Sequence, residues 1–348
     1  MLYLSTRTLH DTYTAARAMS EDRSPDGGFF VPFTLPQLDR QQIKALAKKP
    51  FSQNVADIVN LFFSTQLDSW AIEFSIGRYP VKLIPISSRE TVAETWHNPV
   101  WKFERLAKGI EKAIRQSDDV REVPSDWLMI ASRIAVLFGV FGILMEQGRV
   151  TVSEPLDVAV PCGDFSAPMA VWYAKQMGLP ISTVLCCCND NNGPWKLLHK
   201  GEIRTDAAAQ PTSTPACDKA VPADLERLIF AKLGPKAALT FVDACKEGSG
   251  FYFEPEQLKI VREGLYVPVT GQKRLESAIK SLYRSCGYAS DVYTALCYSG
   301  ILDYRSITGE GRQILILSEE SPVYSAAYLS DCLEITPKKL MELFNQAR

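Results

Sequence analysis

Hydrophobic and polar positions along this chain follow two periods, and the switch between them defines its clearest unit. Residues 156–160 read Leu-Asp-Val-Ala-Val and residues 181–188 read Ile-Ser-Thr-Val-Leu-Cys-Cys-Cys. Both are short apolar runs of the kind buried on both faces of a parallel sheet. Between them Met169, Val171, Trp172, Ala174 and Met177 recur at helical spacing, Gly178 suits a left-handed C-terminal residue, and Pro180 prevents continuation. The pattern predicts strand, helix and adjacent parallel strand, joined by a right-handed crossover. Ligands in such sheets gather in loops at the carboxyl ends of strands. Here those loops are 161–166, with Cys162, Gly163, Asp164, Phe165 and Ser166, and 189–192, opened by Asn189.

Elsewhere the pattern is mostly helical. Ile43, Leu46 and Ala47, then Val55, Ile58, Val59, Leu61 and Phe62, predict packing helices within 41–78. Residues 81–86 predict a short strand, 106–115 a charged helix, and 130–145 the most apolar helix. Helices are also expected over 223–233, 255–262 and 271–285, with a buried strand at 314–318. Residues 205–222, rich in Ala, Thr and Pro, read as a loop or partly mobile excursion. The alternation of strand and helix makes the fold class α/β, built on a parallel sheet.

Composition narrows the function classes. A chain of 348 residues with 46% hydrophobic content buries an ample core. Its 38 Lys plus Arg against 40 Asp plus Glu give a net charge of -2, without a basic block to track a phosphate backbone, so nucleic acid is not an expected partner. The N-terminus lacks a signal-peptide pattern. The 130–145 helix carries Arg133 and reads as too short to span a bilayer, so no membrane association is expected and the protein is placed in the cytoplasm.

Nine cysteines raise a metal or disulfide reading that their spacing opposes. Cys186, Cys187 and Cys188 are consecutive in a predicted strand, where side chains alternate between faces and cannot all reach one ion. They read as small buried hydrophobes in a reducing compartment, and no metal site is expected. Cys162 stands apart because it lies near a helix N-terminus, where a thiolate is stabilised, although no base can be placed beside it.

Several stretches together resemble threonine synthase, a pyridoxal-phosphate enzyme of the tryptophan-synthase-β-like, fold type II group. The family's Pro-Ser-Gly-Asn-Phe-Gly is similar to residues 161–166, its Tyr-Ala-Lys-x-Met-Gly-Leu-Pro is kept at 173–180, and its Ala-Thr-Asn-x-Asn resembles 187–191. Its Ser-Pro-Ala-Met-Asp and Glu-Arg are echoed by 214–218 and by Glu226-Arg227. The N-terminal Tyr-x-Ser-Thr-Arg-Gly and Pro-Asp-Gly-Gly-Leu-x-Val-Pro are echoed near Arg7 and Asp26, both open to a plain reading as turn and surface residues. Asp291 and Thr294 stand in a stretch like Leu-x-Asp-Pro-His-Thr-Ala.

The departures fall on what the resemblance implies for the cofactor. The family's Glu-Leu-Phe-His-Gly-Pro-Thr-Leu-Ala-Phe-Lys-Asp, whose lysine forms the Schiff base, aligns through Glu94, His97, Pro99 and Phe103. That alignment puts Glu104 on the lysine and Arg105 on the aspartate. Lys102 lies two residues upstream, about 200° around a helix. The family's Ser-Gly-Asp-Thr-Gly phosphate loop, and the smaller lobe that carries it, have no counterpart between Glu104 and the 125–134 segment. Trp127 and Ile130 replace two asparagines, and Glu319, Glu320 and Ser321 stand where the family has Thr-Ala-His. The implied organisation is a threonine-synthase-like N-terminal region over 1–105, a short linker over 106–124 in place of the small lobe, and a large three-layer, parallel-sheet α/β domain of the tryptophan-synthase-β-like type over 125–348.

The resemblance therefore implies a degenerate relative that has lost pyridoxal-phosphate catalysis, with no cofactor expected: a pseudoenzyme with an interaction or regulatory role. Removing a lobe exposes apolar surface such as Trp96, Trp101 and Trp127, so a homodimer or protein partner is expected on that face. A second reading is a small-molecule or metal-binding protein, or a different enzyme, using Glu104, Asp164, Asp291 and Glu319 with Cys162 nearby. Residual threonine synthase, a lyase converting O-phosphohomoserine to threonine and phosphate, is the third.

Overall fold

A computed structural model describes residues 1–76, 81–96 and 103–346. The chain opens with a small antiparallel sheet, ordered β2-β1-β3, from β1 (Leu2–Ser5), β2 (Tyr13–Thr14) and β3 (Phe30–Pro32). Helices α1 (Ala15–Ser20), α2 (Arg40–Leu46), α3 (Phe51–Phe63) and α4 (Ser69–Ile76) accompany it. Asp39 caps α2 by accepting from the Gln41 and Gln42 amides, while the Gln42 side chain accepts from the Asp39 amide.

The main sheet has six strands in the order β10-β7-β6-β11-β5-β4. They are β4 (Lys82–Pro85), β5 (Glu90–Glu94), β6 (Leu156–Pro161), β7 (Ile181–Cys187), β10 (Leu265–Tyr266) and β11 (Ile314–Ser318). All neighbours pair parallel except β4, which runs antiparallel to β5 at one edge. Helix α7 (Ser166–Gln176) joins β6 to β7, so the strand-helix-strand unit read from the sequence forms as expected. The residues before α5 thus supply two strands to the same sheet as β6 and β11.

Successive strand residues divide between two cores, which makes the fold three-layered. Val158, Val160, Val184, Cys186 and Leu317 face the core containing α3, α5 (Phe103–Arg115) and α6 (Asp126–Glu146). Ala159, Leu185, Cys187, Ile314 and Ile316 face the other. That second core is closed by α12 (Gln272–Cys286), α13 (Val292–Thr308) and α14 (Ala326–Leu333). Between β7 and α12 lie α8 (Gly193–Trp195), a π-helical turn, β8 (Glu202–Arg204), α9 (Leu225–Leu233), α10 (Pro235–Glu247), β9 (Gly250–Tyr252) and α11 (Pro255–Arg262). Helix α15 (Pro337–Gln346) ends the described chain.

Four expectations need correction. Helix α6 has 21 residues rather than the 16 of 130–145, so it is long and apolar enough to cross a membrane; 15 of them are buried in the protein, as befits a core helix. Residues 205–222 are tied down: Thr214 is fully buried, and Asn189 Nδ2 donates to Thr212 Oγ1 at 2.8 Å, Thr214 Oγ1 at 2.9 Å and Asp218 Oδ1 at 2.8 Å. Trp127 and Ile130 are each 0% exposed and form no contact patch. Trp127 Nε1 donates to Tyr3 Oη at 2.8 Å, and its ring packs edge-on against Tyr3, Phe62 and Tyr173. Finally, Arg7 is not a plain surface residue, and its partner lies in the Glu226-Arg227 pair. Arg7 forks onto the Glu226 carboxylate at 3.0 and 3.1 Å, and Arg227 is completely buried.

Candidate functional site

The carboxyl ends of β6 and β11 open into a cavity of about 400 Å³. Its floor is the loop Pro161-Cys162-Gly163-Asp164, followed by Ser166 and Ala167 at the start of α7. Phe103 and Glu104 of α5, Asp126, Met129 and Arg133 of α6, Leu317, Glu319 and Glu320 at the end of β11, Tyr293, and Ala216, Cys217 and Lys219 complete it. The turn into α7 is tight. Phe165 is fully buried with φ of 76°, a left-handed conformation rarely adopted by a bulky residue and one that marks functional loops. Its amide donates to the Cys162 carbonyl at 2.6 Å.

Sequence reasoning named Glu104, Cys162, Gly163, Asp164, Ser166 and Glu319, and the cavity brings these together. Asp164 Oδ1 accepts from the Ser166 amide at 2.9 Å and its hydroxyl at 2.6 Å, so the N-terminus of α7 already has a carboxylate. Phe165 supports the loop from within the core. Asn189, Asp291 and Thr294 do not line the cavity. Asn189 binds the 212–218 loop, while Asp291 caps α13 by accepting from the Tyr293 and Thr294 amides at 2.8 and 2.9 Å and also holds Thr294 Oγ1 and Ser318 Oγ. Asp291 is therefore absent from the acidic set, and Asp126 and Glu320 join it. Among the described residues no group of three or more His, Cys, Asp or Glu is arranged to hold a metal ion. His97, Trp101 and Lys102 lie outside the described residues, and α5 begins at Phe103.

Arg133 is among the cavity residues that sequence reasoning did not single out. Its guanidinium grips Glu319 with Nε to Oε1 at 2.7 Å and Nη2 to Oε2 at 2.8 Å, and donates through Nη1 to Ser166 Oγ at 3.1 Å. It also lies 5.1 Å above the Phe103 ring. Burial opposes its charge, but the Glu319 carboxylate outweighs this and raises the guanidinium further above its ordinary value. An arginine inside the most apolar helix was the available signal.

Cys162 corrects another expectation. It is 3% exposed, and burial pushes its thiol well above the ordinary value despite the nearby helix N-terminus, so it is not an activated thiolate. Desolvation also raises Asp126, with Arg227 opposing. Behind the wall, burial pushes Glu94 up to about 7, although Tyr288 Oη donates to it at 2.7 Å.

Residues 2–78 match the family described as threonine synthase N terminus. "Threonine synthase-like 1" of Homo sapiens is 27% identical over 157 residues, covering 44% of this chain and 21% of that protein. Threonine synthase of Methylobacillus glycogenes is 23% identical over 221 residues, 62% of this chain and 45% of the enzyme. These alignments thus span less than half of each relative's length. The solved structure of pyridoxal-phosphate-bound threonine synthase from Brucella melitensis superposes with a TM-score of 0.83 at 17% identity, covering 99% of this chain and 94% of that one. The yeast enzyme gives 0.82 at 18%, with the same coverages. This is a threonine synthase fold. Within the threonine synthase fold of this chain, the described part between α5 and α6 is only residues 116–125, and the main sheet is the only one containing parallel strands among the described residues.

Proposed function

We propose that this chain keeps the threonine synthase fold without pyridoxal-phosphate catalysis and acts as a cytoplasmic pseudoenzyme in an interaction or regulatory role. The observation that carries this is the charge of the cavity. Its described lining has five carboxylates, Glu104, Asp126, Asp164, Glu319 and Glu320, against two cations, Arg133 and Lys219. Arg133 is already committed to Glu319. A phosphate dianion about 6 Å from one uncompensated carboxylate meets repulsion on the order of 3 kcal/mol per unit charge at an effective dielectric of 20. At the N-terminus of α7, where an anion is otherwise favoured, the Ser166 amide already donates to the Asp164 carboxylate. The residues present therefore do not fit the cofactor's phosphate, and Glu104 offers no amine at the position aligned with the Schiff-base lysine. All nine cysteines are free, as suits a reducing compartment.

The test is a titration with pyridoxal phosphate. The protein is expected to remain colourless, and borohydride to fix no cofactor on it. A stable visible absorbance that borohydride locks onto Lys102 or Lys219 sinks the proposal. Association with a second copy near 106–124 belongs to the same reading, without Trp127 or Ile130 as contacts; light scattering that shows only monomer at high concentration removes it.

The open cavity favours a second reading, a small-molecule site. An excess of carboxylates in a partly desolvated hollow selects a cationic ligand, such as a primary amine. Calorimetry with 1,4-diaminobutane is expected to show saturable binding that weakens in Glu104→Gln, and equal heats for both proteins count against it.

A further inference from the structure

One thiol of the cavity floor, Cys162, touches a second thiol behind it, Cys188, and neither reading uses the pair. Cys162 follows β6 and Cys188 follows β7, and the parallel register that pairs Val160 with Cys186 and Pro161 with Cys187 sets these two residues opposite each other. The ladder continues to this point, since the Cys162 amide donates to the Cys187 carbonyl at 2.9 Å. Their Sγ atoms are 2.8 Å apart, and both point into the same core. Neighbouring strands are spaced about 4.8 Å apart. That lies within the Cα separation of roughly 4.4–6.8 Å that a disulfide requires. Both cysteines stand where the threonine synthase pattern has hydroxyl residues, so the two departures fall on touching positions. Cys162 is also a cavity-lining residue, so the pair lies directly beneath the hollow.

We infer that Cys162 and Cys188 form a reversible disulfide site that responds to a hydroperoxide entering the cavity. The Cys162 sulfur attacks the peroxide oxygen, becoming a sulfenic acid as hydrogen peroxide releases one water. The Cys188 sulfur then displaces the hydroxyl from Cys162, forming the S–S bond and releasing a second water. Two thiols are oxidised by two electrons, one peroxide is reduced, and both thiol protons leave in water. Burial of Cys162 makes this slow at neutral pH and faster as pH rises. The oxidised pair would fasten the cavity floor to the end of β7, whether or not the cavity takes a cofactor.

The test treats the full-length folded protein with hydrogen peroxide, then quenches, denatures, alkylates with iodoacetamide and maps the peptides by mass. The expected product is a peptide pair joining Cys162 to Cys188, lighter by two hydrogens, restored by dithiothreitol and formed faster at higher pH. Cys162→Ser and Cys188→Ser are each expected to abolish it, with circular dichroism checking the fold; the wild-type map decides the question alone if either variant misfolds. Full alkylation of both residues after exposed Cys286 has been oxidised overturns the inference. So does a link from Cys162 to Cys217, the other cavity thiol, instead of Cys188.

Discussion

Two groups of charge lie close together in this molecule and differ in how each carboxylate is answered. The first locks the N-terminal segment to α9. Glu226 receives Thr6 Oγ1 and both ends of the Arg7 fork, Arg227 binds Asp224 and the Phe30 carbonyl, and Arg227 and Arg23 lie 4.0 and 3.3 Å from the Phe29 ring centre. The second is the cavity, which the first touches through the Asp224 amide on the Asp164 carbonyl at 2.9 Å. In the lock, both carboxylates face arginines. In the cavity, Glu319 has Arg133, whereas Glu104 and Asp164 are solvent-exposed. Water makes the difference: a charge sealed from solvent must be paired, and a charge left at a hollow's rim remains available to a ligand.

The sharpest way to break this contrast is Arg227→Met. It removes the cation facing buried Asp224, whose carboxyl burial already raises against the opposing pull of Arg227. Breaking one side of such a pair is expected to cost about 3–5 kcal/mol in urea unfolding. A loss below about 1 kcal/mol would mean that the lock is not sealed.

Glu94 tests the boundary between the two environments. Its carboxyl is raised from 4.5 to about 7 by burial, so between those values the folded chain keeps a proton that the unfolded chain has released. Stability therefore falls as pH rises through that window and levels off above it, by on the order of 3 kcal/mol at about 1.4 kcal/mol per unit. Glu94→Gln is expected to be nearly neutral at pH 4.5 and stabilising at pH 8. An equal effect at both pH values would place Glu94 in water.

Arg133→Met acts inside the cavity and should cost less, about 1–2 kcal/mol, because Glu319 is 22% exposed and can recruit water. It also frees a carboxylate, so binding of 1,4-diaminobutane is expected to tighten. Weaker diamine binding would show that Arg133 does more than neutralise Glu319.

Legibility in the sequence followed the same division. Strands β6, β7 and β11 were readable because burial on both faces requires apolar runs, and α7 because Gly178 and Pro180 end it. Strand β5 was not read. Its sequence is Glu-Thr-Val-Ala-Glu, yet every residue is buried, because Arg305 pairs with Glu90 at 2.5 Å and Tyr288 reaches Glu94 from almost two hundred positions away. The strand-end loop was readable from the strand-helix-strand pattern, but its electrostatics were not: Arg133 came from a helix whose hydropathy suggested only packing, and Asp126 from the first turn of that helix. Asp291 was misplaced for the converse reason, since a residue that caps a helix and one that meets a ligand can share the same sequence context.

Trp127→Phe leaves the cavity itself untouched and fixes where the lock ends. Trp127 was expected on an exposed apolar face, and instead it seals the N-terminal sheet against α6. Its indole N–H donates to Tyr3 Oη, which itself donates to the Phe62 carbonyl at 2.8 Å. Phenylalanine preserves most of the edge-on packing against Tyr3, Phe62 and Tyr173 but removes the donor. Tyr3 keeps its own donor bond, so the loss is expected to be that of one neutral hydrogen bond and a little ring volume, about 1–2 kcal/mol. Diamine binding should not change, because Trp127 does not line the cavity. A changed affinity with unchanged stability would put Trp127 in the site after all, and would move the boundary between the dry lock and the wet cavity by one helical turn.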